Sequence, residues 1–202
     1  METNQEPQEQ TKDVLVVYYS RTGHVKKMAE IIQKETNGDI FEVKTADDNN
    51  YSDSYLVACF QAGKHLLSGF LPKLTENIDI SKYKTIYIGT PVWWYTISRP
   101  MASFLKEADF TGKTIIPFLS EGSSGYERAI NALKEAIPNA TILDEFVFIE
   151  KKPPADLDKD IKDWLEAVHK KVPNEREPPV GSSNEAPPEG NNETPENNNP
   201  TN

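Results

Sequence analysis

One cysteine stands in 202 residues. Cys59 alone can form neither an internal disulfide nor a multi-thiolate metal centre, and it suits a reducing compartment. Basic residues are also in short supply: 22 Lys and Arg against 32 Asp and Glu leave a formal charge of −10. A basic face for a phosphate backbone is therefore missing, which argues against nucleic acid as a partner. No stretch approaches the ~20 apolar residues of a bilayer span, so no membrane segment is expected. The start, Met1-Glu2-Thr3-Asn4-Gln5-Glu6, has neither the basic nor the apolar region of a secretory signal. The default expectation is a soluble cytoplasmic protein.

Hydrophobic residues are scarce too, at 37%, so part of the length should lie outside any core. Residues 172–202 hold six Glu and one Arg, seven of the fifteen prolines and eight asparagines. Such a segment cannot bury enough apolar surface to offset its ordering entropy, and it reads as a disordered acidic tail. Residues 1–12 carry a net −2 and read as a disordered N-terminal segment, which leaves −3 on residues 13–171. That middle stretch is the expected globular domain.

Within it, short apolar runs alternate with helical-period stretches. Val14 to Tyr19 is a continuous run, as for a strand buried on both faces, and Val25, Met28, Ala29 and Ile32 follow at helical spacing. Further strands are expected at Ile40–Val43, Thr85–Ile88 (ending at Gly89-Thr90-Pro91) and Lys113–Phe118, with Pro117 near a strand end. A last strand comprises Thr141–Leu143 and Phe146–Ile149, broken at Asp144-Glu145. Helices are expected over Tyr55–Leu67, around Ile97, Met101, Phe104 and Leu105, around Ala129 to Ile137, and around Ile161 to Val168. Five strands alternating with five helices predict an α/β domain of three layers, a doubly wound parallel sheet.

In such sheets ligands sit beyond the carboxyl ends of the strands at the topological switch point, which singles out three loops. Ser20-Arg21-Thr22-Gly23-His24-Val25-Lys26 offers hydroxyls, a glycine and helix-start amides, either as an anion cradle or as an ordinary helix cap. It matches neither G-x-G-x-x-G nor the Walker pattern. Thr90-Pro91-Val92-Trp93-Trp94-Tyr95-Thr96 places three adjacent aromatics at a strand end, suited to stacking on a flat heteroaromatic ring, to packing on the sheet end or to a subunit contact. Ser120-Glu121-Gly122-Ser123-Ser124-Gly125-Tyr126 is small enough for close backbone approach to a ligand. His24 could donate to a bound phosphate, whereas His65 and His169 lie far apart with no metal-ligand spacing, so no metal site is expected. Cys59, beside Val57 and Phe60, reads as a small buried helix residue. No nucleophile elbow, C-x5-R loop or acidic pair at the end of the first strand is present.

The sequence Tyr19-Ser-Arg-Thr-Gly before a helix, Gly89-Thr-Pro-Val-Trp-Trp, and Asp109-Phe-Thr-Gly-Lys-Thr-Ile-Ile-Pro-Phe before a Gly/Ser loop resemble flavodoxin-like proteins, in particular bacterial ones with a Pro-x-Trp-Trp loop. The resemblance covers about residues 13–150 and implies a five-stranded sheet of order 2-1-3-4-5 with bound flavin mononucleotide (FMN). By position it implies that Ser20, Arg21, Thr22, Gly23, His24 and Val25 line the phosphate. Pro91, Val92, Trp93, Trp94 and Tyr95, with Ser120, Gly122, Ser123, Ser124 and Gly125, would hold the isoalloxazine. The chain departs from the family at Val25, where a hydroxyl residue is usual; one lost hydrogen bond is worth ~0.5–1.5 kcal/mol, and Val25→Thr is expected to tighten FMN binding. The implied function is redox: an electron carrier, or an NAD(P)H-dependent reductase of quinone-like acceptors, with a nicotinamide nucleotide or redox protein as partner and no catalytic side chain. A binding module that has lost tight FMN affinity is the alternative.

Overall fold

The computed structural model describes residues 12–46, 51–52, 54–122 and 125–172. The expected N-terminal segment up to residue 11 and the acidic tail beyond 172 lie outside them, as do Ser123 and Ser124.

The chain runs β1 (Val14–Tyr18), α1 (His24–Thr36), β2 (Asp39–Glu42), α2 (Tyr55–Ser68), β3 (Thr85–Trp93), β4 (Thr96–Ile97), α3 (Arg99–Glu107), β5 (Thr114–Glu121), α4 (Glu127–Ala136), β6 (Thr141–Ile142), β7 (Phe146–Ile149) and α5 (Leu157–His169). The parallel sheet has the order β2-β1-β3-β5-β6, with β7 continuing on β5 and β4 folded back on β3. Counting β6 and β7 as one interrupted strand, and setting the two-residue β4 aside, this is the expected 2-1-3-4-5 order. Strand period two divides the core. Leu15, Val17, Ile86, Ile88, Ile115 and Leu119 face α3 and α4. Val16, Tyr18, Tyr87, Ile116 and Phe118 face α1 and α5.

Three local expectations are corrected. β3 does not end at Pro91: its ladder with β5 runs on through Pro91↔Ser120, and the chain then reverses at Trp94-Tyr95 into β4. Both turn residues have positive φ, 50° and 65°, the pattern of a two-residue type I′ hairpin. Ile97 accordingly belongs to β4, not to the third helix, which begins after Ser98 with Pro100 in its first turn. Pro117 lies in the middle of β5, paired with Ile88, rather than near its end. Its tolerance has a geometric cause. Lys113, Ile115 and Glu121 turn their carbonyls toward β6 and β7, where they accept from Thr141, Leu143 and Glu150. By the same alternation Pro117 turns its missing donor toward that side, opposite the Asp144-Glu145 break, where no ladder acceptor stands.

Gly89, in the middle of β3, marks the closest packing. A Cβ there would sit 2.2 Å from Phe118 Cζ and 2.8 Å from Val25 Cγ1. Only glycine lets β3 pass between the aromatic ring and the start of α1.

Candidate functional site

At the carboxyl ends of β1, β3 and β5 the chain leaves a cavity of about 410 Å³. A larger one, about 450 Å³, lies at the opposite end among Asn77–Ser81 and Asp109–Lys113. There the Asp79 and Asp109 carboxylates accept the amides of their own turns, Ser81 and Thr111, at 2.9 Å each. The carboxylates at that end are engaged by their own turns, whereas the first cavity lies at the switch point of the sheet and is the candidate site.

Its first wall is the loop between β1 and α1. Gly23, with φ 87°, is the N-cap of α1 and no side chain caps the helix. Ser20 Oγ accepts the Gly23 amide at 3.1 Å, which fixes the loop, while Lys27 N–H makes the first helical bond to Gly23 O. The amides of His24, Val25 and Lys26 precede that bond and have no intrahelical acceptor. The cap alternative is therefore not realised by a hydroxyl, and the positive end of α1 opens where Arg21 and Thr22 line the cavity. Arg21 is tied across to Ser52 O at 3.3 Å.

The second wall is the β3–β4 hairpin, whose aromatics take three directions. Trp93 packs edge-on against Tyr19 and Tyr51, with centroids at 5.8 and 4.6 Å. Trp94 lies on α2: its indole N–H donates to Cys59 O at 2.9 Å, and Gly63 leaves the space the ring occupies. Tyr95 turns outward under the Arg128 guanidinium, 5.5 Å away, and takes no part in the cavity. The hairpin base is anchored by a buried pair, Thr90 Oγ1 and Ser98 Oγ at 2.9 Å. Burial pushes the Tyr51 phenol up to about 12 and Tyr19 higher still, so both stay neutral donors beside Trp93.

The third wall is the end of β5. Ser120 Oγ donates to Glu150 Oε1 at 2.9 Å, and the buried Glu121 carboxylate accepts the Gly125 amide at 3.1 Å. The floor was not anticipated from sequence. Small residues of α2, Ala58, Cys59 and Ala62, turn toward the cavity with Tyr55, and Glu150 and Lys151 close it from beyond β7.

Residues 13–168 match a family model described as flavodoxin. The chain belongs to the flavodoxin family. A candidate flavoprotein from Bacteroides uniformis is similar over 78% of this chain and 99% of its own, at 26% identity and a TM-score of 0.67. The flavoprotein of Lactobacillus acidophilus solved in complex with FMN has the same fold, with a TM-score of 0.60 at 22% identity over 76% of this chain and 98% of its own. A curated NAD(P)H dehydrogenase (quinone) of Cupriavidus metallidurans is 33% identical over 95 residues, which are 47% of this chain and 46% of that one. The match thus spans about half the length of that relative.

Within this flavodoxin fold the expected site residues separate. Arg21, Thr22, Pro91, Val92, Trp93, Trp94, Ser120 and Gly122 meet at one cavity. Ser20, Gly23 and Gly125 shape the loops around it. Three side chains point elsewhere: Tyr95, outward under Arg128, and the first two of α1. The His24 ring stacks on Phe148, with centroids 4.9 Å apart, and borders a separate groove with Lys27 and Pro153. Val25 is 2% exposed, with one γ-methyl against the Gly89 backbone, so what it can offer the cavity is its main-chain amide. Among the described residues no group of His, Cys, Asp and Glu could hold a metal ion, and no helix is long and apolar enough to cross a membrane.

Proposed function

We propose that this cavity holds FMN and that the protein works as a redox flavoprotein, carrying electrons or reducing quinone-like acceptors with NAD(P)H. The observation that carries the reading is the convergence, at the switch point of the sheet, of an uncapped helix start with a slot between aromatic and small side chains. The amides of His24, Val25 and Lys26, with Thr22 and Arg21, would take the phosphate. Trp93 and Trp94 on one side, and Ser120 and Gly122 on the other, would border the ring system. A Cβ at Gly122 would meet nothing within 4 Å, so main chain can approach a flat ligand there. The FMN-bound Lactobacillus acidophilus structure and the Cupriavidus metallidurans quinone dehydrogenase support the cofactor class and the reaction class respectively.

When bound, the flavin supplies the electron and hydride chemistry. The chain's own residues do the rest. Ser20 holds the phosphate loop in shape through Gly23, and Trp93 is kept in place by Tyr19 and Tyr51. Glu150, tied to Ser120, sets negative charge at the rim.

The test is an FMN titration of the apo-protein, followed by flavin fluorescence and the visible spectrum. Stoichiometric binding with strong quenching is expected, and NADH or NADPH oxidation with a quinone then separates reductase from carrier. No binding at about 50 μM FMN, a concentration that reveals any affinity tighter than ~6 kcal/mol, would overturn the reading.

A further inference from the structure

Helix α2 is built inside out. Its small residues, Ala58 and Ala62, are the buried ones, while Leu56 is 77%, Phe60 73% and Leu67 91% exposed. These three recur at i, i+4 and i+11, one stripe along the outer face. Leaving large apolar side chains in water along three turns of helix costs solubility unless something covers them.

We infer that α2 is the seam of a symmetric dimer, in which a second copy of this chain covers the stripe and roofs the cavity. Charge favours a like partner over a membrane. Lys64 is the single Lys, Arg, Asp or Glu among the fourteen residues of α2, in a chain with a net −10. With one cation the helix lacks the basic cluster that anionic headgroups attract, while two copies of it meet with little charge repulsion at the seam. Residues 1–11 and 173–202, outside the described residues, contain no Leu, Ile, Phe, Tyr or Trp that could lie along the stripe.

Area points the same way. Tyr55 and Trp94, 68% and 56% exposed, flank the stripe, and with Phe60 the three rings leave about 300–500 Å² uncovered. The leucines extend this beyond the usual patch of a monomer, toward the ~800 Å² per partner of a stable interface. The stripe is also self-complementary. Its centre lies between Phe60 and Gly63, so a two-fold axis there sets Leu56 of each copy against Leu67 of the other. Tyr55 and Trp94 belong to both the patch and the cavity wall, hence the partner's α2 would close the open side of the site.

Sedimentation velocity of the full chain, from about 1 to 100 μM, should show a species of twice 22.8 kDa. Phe60→Glu and Leu67→Glu, both at exposed positions that leave the fold intact, should each weaken dimerisation about a hundredfold; Ile40→Glu on β2 should not. Because Cys59 is the single thiol and lines the cavity, its reaction with a bulky thiol reagent should slow about tenfold in the dimer and recover in Phe60→Glu. A wild-type monomer throughout the range overturns the proposal. So does a dimer insensitive to both glutamates, or one whose Cys59 reacts as fast as in the monomeric variant. Flavin titration of Phe60→Glu reports on the cofactor separately, so failure of one reading leaves the other standing.

Discussion

Replacing Gly89 by alanine tests how tightly the site is built onto the sheet. The added Cβ would lie 2.2 Å from Phe118 Cζ and 2.8 Å from Val25 Cγ1, far inside contact distance. The backbone has no room to retreat, because Gly89 is laddered to Tyr18 on one side and to Phe118 on the other. Phe118 is fully buried, so its ring must leave its rotamer or push α1 outward. Overpacking of this sort costs ~1–3 kcal/mol, and the entropy gained on replacing a strand glycine returns ~0.5–1 kcal/mol. A net loss of about 1–2 kcal/mol is expected, lowering the melting temperature by roughly 2–8 °C for a domain of this size. Urea unfolding should show a lower midpoint with an unchanged m-value. Phe118→Leu, which removes the tip of the ring, should be partly compensating, so that the double variant is at least ~1 kcal/mol more stable than additivity allows. A Gly89→Ala protein within about 0.5 kcal/mol of wild type, or strict additivity, would refute this account of the packing.

Two further predictions concern single side chains. Gly63→Ala should gain ~1 kcal/mol of helix propensity, yet its Cβ would stand 3.0 Å from the Trp94 indole, so Trp94 should lift off and lose its bond to Cys59 O, worth ~0.5–1.5 kcal/mol. Stability should barely change while Trp94 fluorescence, isolated by comparison with Trp94→Phe, shifts toward that of a solvated indole; a full gain in stability with no spectral change would count against the contact. His169, hydrogen-bonded to the buried Tyr87 hydroxyl at 2.6 Å, is held below the usual 6.5 by burial. The unfolded chain then takes up this proton first, so stability should be complete above pH 6.5 and fall as pH drops through that value toward the folded-state pKa. In His169→Gln the loss measured between pH 7.5 and 5.5 should be shallower, the remainder including His65, which burial also lowers.

The elements easiest to read from sequence were those whose burial repeats. β1 and α1 follow the apolar spacing of Val14–Tyr18 and of Val25, Met28, Ala29 and Ile32 almost to the residue. Gaps in the reading share one cause, that local preference was overridden by the neighbouring strand. Trp94 and Tyr95 have no intrinsic taste for positive φ, so nothing in Thr90–Thr96 announced a type I′ hairpin; the ladder to β5 and the seat on Gly63 impose it. Pro117 looked like a strand end because the partner's break at Asp144-Glu145, 27 residues on, is what excuses it. The loops beyond β1, β3 and β5 were legible as one candidate cluster because topology alone puts them together. The α2 floor was not, although a signal existed: Ala58 and Ala62 lie opposite Leu56, Phe60 and Leu67, the reverse of a helix that buries its large residues.

The interruption between β6 and β7 has a consequence for how this protein behaves among its own kind. A sheet edge is a template on which a foreign strand can grow, and its danger rises with uninterrupted length. Here one edge is cut into pieces of two and four residues by Asp144 and Glu145, and Lys171 pairs with Asp144 at the cut. The opposite edge is the four-residue β2, which carries Asp39 and Glu42, with Lys12 and Lys82 gathered on Asp39. Neither border offers a clean ladder to a stranger. Self-association through hydrogen-bonded strands, the route to fibres, is blocked at both sides, and helical surface is what remains for contacts that close on themselves.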